Sequence, residues 1–103
     1  NYHFTTKGNT KITLDDNLLR INGALTELPF GIYTAPQIFT VNRNTYITVT
    51  ETQEKKVYVI KKDGTILNGF PVFGSSKALL TGTKKSVLLS VIGQDNEVVL
   101  IQF

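Results

Sequence analysis

His3 is the only histidine in the sequence, and eight carboxylates are the other candidates for acid–base or metal chemistry. A lone imidazole can move protons near neutral pH. His3 lies in a run of strand-forming residues with no partner motif, so it reads as a surface residue of an edge strand. The carboxylates are Asp15, Asp16, Glu27, Glu51, Glu54, Asp63, Asp95 and Glu97. Two-metal phosphodiester chemistry needs several of these around ions about 4 Å apart. Most fall instead in polar turns at scattered positions. Asp63 precedes Gly64, and Asp15-Asp16 precedes Asn17, as turn chemistry prefers. With no Cys there is no disulfide framework, thiolate zinc site or cysteine nucleophile. Ser-His-Asp spacing and a phosphate-cradling glycine loop are also missing. Gly64, Gly69 and Gly74 follow strand spacing and do not open a helix. The reading assigns no catalytic residue, no cofactor or cofactor-binding residue, and no metal ligand.

Binding residues are the remaining candidates. Tyr33, Tyr46 and Tyr58 mark a candidate binding surface, because tyrosine is favoured at interfaces. In Phe70-Pro71-Val72-Phe73-Gly74, the two phenylalanines are expected to pack between sheets, with Pro71 fixing the chain direction and Gly74 permitting the bend. The basic balance rests on the doublets Lys55-Lys56, Lys61-Lys62 and Lys84-Lys85, with a net charge of +3 and a sequence pI of about 9.3. Nucleic-acid domains cluster more cations on one face. Here 18% of residues are charged, so the doublets read as solvated faces and edge protection, and no nucleic-acid partner is expected. No apolar run approaches the roughly 18 residues of a membrane span.

The elements that would position these groups are all β. Short Val/Ile/Leu/Tyr/Thr runs alternate with polar turns at intervals of roughly 8–12 residues. Strands are expected over residues 2–6, 10–14, 18–22, 24–28, 37–41, 45–51, 56–61, 65–68, 78–81, 86–92 and 97–103. Asn, Asp and Gly in the breakers tolerate the positive φ of tight hairpins. A repeat of 42 residues lays 45–61 on 87–103, with Val49 meeting Val91 and Val57 meeting Val99. The repeat sorts the chain into one domain of three units, about 1–30, 31–72 and 73–103, the last one strand short of four. Consecutive apolar residues over 87–92 and 98–101 predict strands buried on both faces. The sequence has no Met, and Asn1 is not a residue behind which an initiator is normally removed, so an excised piece of a longer chain is expected.

The strand Val57-Tyr58-Val59-Ile60, the turn Asp63-Gly64, and Gly69-Phe70-Pro71-Val72 leading to Gly74 together resemble the blade motif of bacterial exported β-propeller proteins. Residues 86–103 look like that family's closing segment, and 28–41 like the crossing between blades. The resemblance covers most of residues 18–103. It implies an all-β, antiparallel propeller-like fragment of about two and a half to three blades. It also implies a parent in the periplasm, cell envelope or extracellular space, acting as a non-catalytic structural or interaction module for an unknown protein or glycan ligand. In many propellers the final blade is completed by a strand from upstream, so an exposed edge and self-association through it are expected. The loops 41–44 and 81–85 lack the Asp-x-Asp-x-Asp-Gly of calcium-binding propellers, and with no Trp the docking motifs of quinone-cofactor propellers are missing.

Some members of that family carry a ribonuclease HII label, so the alternative is part of an enzyme, a hydrolase or ribonuclease, whose active site lies outside these residues. The scattered carboxylates predict that the chain itself does not cut an RNA–DNA hybrid with Mg²⁺ or Mn²⁺. Cleavage that Asp15→Asn or Asp16→Asn abolishes would contradict this.

Overall fold

The structure is a computed structural model that describes residues 2–75, 78–82 and 86–103. Among the described residues there is no helix. The first sheet has the order β1 (Tyr2–Lys7), β2 (Thr10–Asp15), β3 (Leu18–Ile21) and β4 (Ala24–Glu27). The second has β5 (Gln37–Val41), β6 (Asn44–Glu51), β7 (Lys56–Lys61) and β8 (Val72–Phe73). The third has β9 (Leu79–Gly82), β10 (Val87–Ile92) and β11 (Val98–Gln102), with β10 in the centre. Every pairing is antiparallel.

Turn chemistry explains the meander. Register pairs Ile21 with Ala24 and Val41 with Asn44, leaving two-residue turns at Asn22-Gly23 and Asn42-Arg43. Both central residues have positive φ in each, 49° and 90° in the first, 51° and 67° in the second. That is the primed turn whose twist matches the twist of the flanking strands. The wider β6–β7 and β10–β11 turns each contain a left-handed residue, Lys55 and Asn96.

Ten of the eleven expected strands are present, two with the expected bounds (37–41 and 56–61) and the others with shifted ends. The exception is residues 65–68, which form no strand of their own. Ile66 makes a single bridge to Ile60, and the amide of Leu67 donates to the Val59 carbonyl at 2.8 Å. The chain then leaves the sheet through Gly69 at φ 90° and returns as β8 against Val57 and Lys56. The detour carries Phe70 onto Phe103, with ring centroids 5.5 Å apart in a T-shaped contact. Phe73 stays exposed, so only one of the two phenylalanines packs between sheets. Gly74 serves close approach: a Cβ there would stand 2.5 Å from Val57 of the second sheet and 3.2 Å from Val91 of the third.

The second sheet is the shared wall of two cores. Ile47, Val49, Tyr58 and Ile60 face Ile12, Leu14, Leu19 and Ile21 of the first sheet. Val57, Val59 and Val41 face Leu80, Val87, Leu89 and Val91 of the third. Successive residues of β7 alternate between the two cores, so its run Val57–Ile60 is buried on both faces. The expected two-sided burial of 87–92 and 98–101 is not what the structure shows. In β10 one face is buried and the other half-buried, and Val98 and Leu100 of β11 are 63% and 64% exposed. Consecutive apolar residues there mark an uncovered aliphatic face, since among the described residues no further sheet lies on that side.

Ile60→Ala empties a fully buried site and is expected to cost about 3 kcal/mol in urea unfolding. Leu100→Ala is expected to stay within about 0.5 kcal/mol of the parent. A large loss at Leu100 would mean that its face is covered.

Candidate functional site

Glu51 is the most tightly held acidic side chain, and the sequence reading passed over it as one of the scattered carboxylates. It ends β6 and is only 4% exposed. Its carboxylate accepts from the amides of Ile32 at 2.7 Å, Glu54 at 2.6 Å and Gln53 at 3.2 Å. Burial by itself would raise the Glu51 carboxyl. The three N–H donors and the nearby Lys56 charge outweigh it and hold the carboxyl below its ordinary 4.5. One end of this arrangement closes the β6–β7 turn. The other fixes the crossing between the first and second sheets.

That crossing runs beside β6 as an upstream extension of β5. The Thr34 amide donates to the Thr50 carbonyl at 2.9 Å, and the Thr52 amide to Ile32 at 2.7 Å. Register slips by one residue between the Tyr33↔Glu51 bridge and the Gln37↔Thr48 pair, where Ala35 and Pro36 interrupt the ladder. Tyr33 and Tyr58 are part of this join. They are 3% and 4% exposed, with ring centroids 6.2 Å apart, and the Tyr33 hydroxyl donates to the Pro29 carbonyl at 2.7 Å. Burial, then Tyr58, pushes the Tyr33 phenol well above its ordinary value.

Tyr46 is placed differently. It is half-buried on β6, directly opposite Lys61 of β7, and its ring meets Phe103 edge-on at 5.9 Å. It lines a cleft of about 340 Å³ together with Arg43, Asn44, Lys61, Lys62 and Asp63. The three tyrosines therefore do not form one surface: two sit in the core and one lines the cleft. Asp63 is committed to its turn, where it accepts from the Thr65 amide at 2.9 Å. That bond, with Lys61 as a lesser contribution, holds its carboxyl below the ordinary range. The doublet Lys84-Lys85 lies outside the described residues.

His3 is half-buried on β1 opposite Leu14, and its Nε2 has no hydrogen-bond partner. Among the described residues, no three His, Asp or Glu side chains gather as a metal site would require. No helix there is long and apolar enough to cross a membrane. Comparison with protein-family models, with curated proteins and with solved structures gives no match for this chain.

Replacing Glu51 by Gln removes the charge that three amides converge on. It is expected to cost about 1–3 kcal/mol at pH 7. A carboxyl with a depressed folded pKa stabilises above its unfolded value, and that contribution disappears as pH falls through the folded value. The gap between parent and Glu51→Gln should therefore be largest above pH 4.5 and shrink below it. Urea unfolding at several pH values measures it, and a gap independent of pH would refute the assignment.

Proposed function

We propose that the chain is a non-catalytic structural and interaction module, a β scaffold that presents hairpin turns to a protein or glycan partner. The observation that carries this reading is how the charged groups are used. The well-held carboxylates Glu51 and Asp63 are occupied by backbone amides, while the cleft is built on turns at one end of a doubly buried sheet. Acids committed to backbone donors are poorly placed for proton transfer. Turns mounted on a rigid sheet are the usual place for recognition.

The finer architecture is a propeller-like array of two and a half to three blades. Three features support it. Each sheet meanders in chain order from its first strand to its last. The first strands neighbour one another across sheets, β5 lying beside both β1 and β9. Finally, β5 and β9 begin at residues 37 and 79, and β7 and β11 at 56 and 98, each pair 42 apart (79 − 37 and 98 − 56). The first unit does not keep this spacing. A parent in the periplasm or cell envelope, and self-association through the unpaired edge of β11, belong to the same proposal.

Two screens of the purified chain test the reading. One is a glycan array with defined protein baits, and the other a panel of chromogenic esters, phosphate esters and glycosides. Saturable binding without turnover is the expected result. Turnover that purifies with the chain and survives heating and refolding would overturn it.

A further inference from the structure

We infer that the cleft between the β5–β6 turn and the end of β7 is a binding site for an oxyanion, a phosphate or sulfate ester carried on a ring. The inference rests on the reading of the chain as a binding module and names the ligand class of its cleft.

The first observation is where Arg43 sits. The turns Asn22-Gly23 and Asn42-Arg43 are of the same primed type, with positive φ at both central residues. At the second central position, the first turn has Gly23 at φ 90° and the other has Arg43 at φ 67°. Glycine has no Cβ to strain there, whereas a long side chain does. Among the described residues, the six non-glycine residues with positive φ include four Asn or Asp; Arg43 and Lys55 are the others. Arg43 thus occupies a position where Gly is conformationally cheaper, and strain of this kind concentrates at functional sites.

The second observation is charge. Arg43, Lys61 and Lys62 line the same cleft as Asp63. Three cations and one carboxylate leave a formal surplus of two positive charges. The single carboxylate already accepts from the Thr65 amide. Among the described residues, none of the three cationic side chains makes a hydrogen bond or a short ion pair, and the ion pair present, Lys56–Glu54 at 3.1 Å, lies at another turn. A planar guanidinium beside two ammonium groups suits a tetrahedral oxyanion, which guanidinium grips through two parallel hydrogen bonds.

The third observation is Tyr46. Its register opposite Lys61 places both side chains on one face of the sheet, and its edge-on contact with Phe103 steadies the ring. An aromatic wall beside an anion site favours an ester whose alcohol part is itself a ring.

The test is an amide chemical-shift titration of the full chain with inorganic phosphate, phenyl phosphate, phenyl sulfate and, as the uncharged control, phenyl β-glucoside. Shifts confined to Arg43–Tyr46 and Lys61–Asp63 are expected, with a Kd on the order of 1 mM for phenyl phosphate. Inorganic phosphate should bind more weakly, and about 0.5 M NaCl should weaken all the anions. Preference between the two esters identifies the oxyanion, and either preference supports the site.

Arg43→Gly is the decisive variant. It should weaken phenyl phosphate binding by at least about tenfold, while thermal stability rises by a few degrees, roughly 3–6 °C. Lys61→Gln should weaken binding several-fold at unchanged stability. The inference is overturned if no shifts appear up to about 50 mM ester, if the glucoside binds as well, if Arg43→Gly binds like the parent, or if Arg43→Gly lowers the melting temperature. A ligand held elsewhere on the chain, with the cleft unperturbed, would overturn this site and leave the module reading standing. Turnover would instead count against the module reading.

Discussion

Everything in this molecule leans on one sheet that is buried from both sides. In β7, Val57 and Val59 face the third sheet while Tyr58 and Ile60 face the first. A period-two strand that is apolar at every position must be covered on both faces, or it leaves aliphatic surface in water. Among the described residues, the first and third sheets are each covered on one side only, by the second. Each on its own would leave its apolar face in water. The middle sheet makes them stable by lending each a wall.

That arrangement demands secure crossings between sheets, and two buried polar residues, Thr50 and Glu51, hold one of them. Glu51 holds the Ile32 amide where the chain passes from the first sheet to the second, and two amides of the β6–β7 turn. Thr26 of β4 donates its hydroxyl to the Gly64 carbonyl at 2.8 Å, tying the first sheet to the turn that follows β7. Phe70 bridges to Phe103 on the other side. The Thr26 and Glu51 bonds thus fasten neighbouring sheets, while other polar side chains close turns. At one end of the middle sheet Arg43, Tyr46, Lys61 and Lys62 border a cleft, and Tyr46 also packs against the second core.

The strands were legible in the sequence because their signals are local. Asn-Gly, Asp-Asn and Asp-Gly turns and two-residue alternation mark ends and faces without reference to the rest of the fold. Residues 65–68 misled because strand propensity says nothing about an edge that must let go of its neighbour to carry Phe70 across. Val98 and Leu100 misled because consecutive apolar residues show that a face is greasy, not that something covers it. Of the three candidate tyrosines, Tyr46 lines the cleft. Tyr33 belongs to the core because a slip between the crossing and β6 turns it inward, which leaves no mark in composition, and Tyr58 because the alternation of β7 points it at the first sheet. Glu51 was invisible for a similar reason: its three donors come from residues 32, 53 and 54, one of them across a sheet boundary. Arg43 had a readable signal, an arginine where Asn-Gly is usual, and only the φ values give it meaning.

The central claim is that the middle sheet holds the other two. Native-state hydrogen exchange tests it most directly. The amides of β6 and β7 are expected to be the slowest in the chain and to exchange only through global unfolding, with β2–β3 and β10 opening at lower free energy. Amides of β10 or β2 that outlast those of β7 would contradict the account, because an outer sheet would then be stable without the wall it is said to borrow.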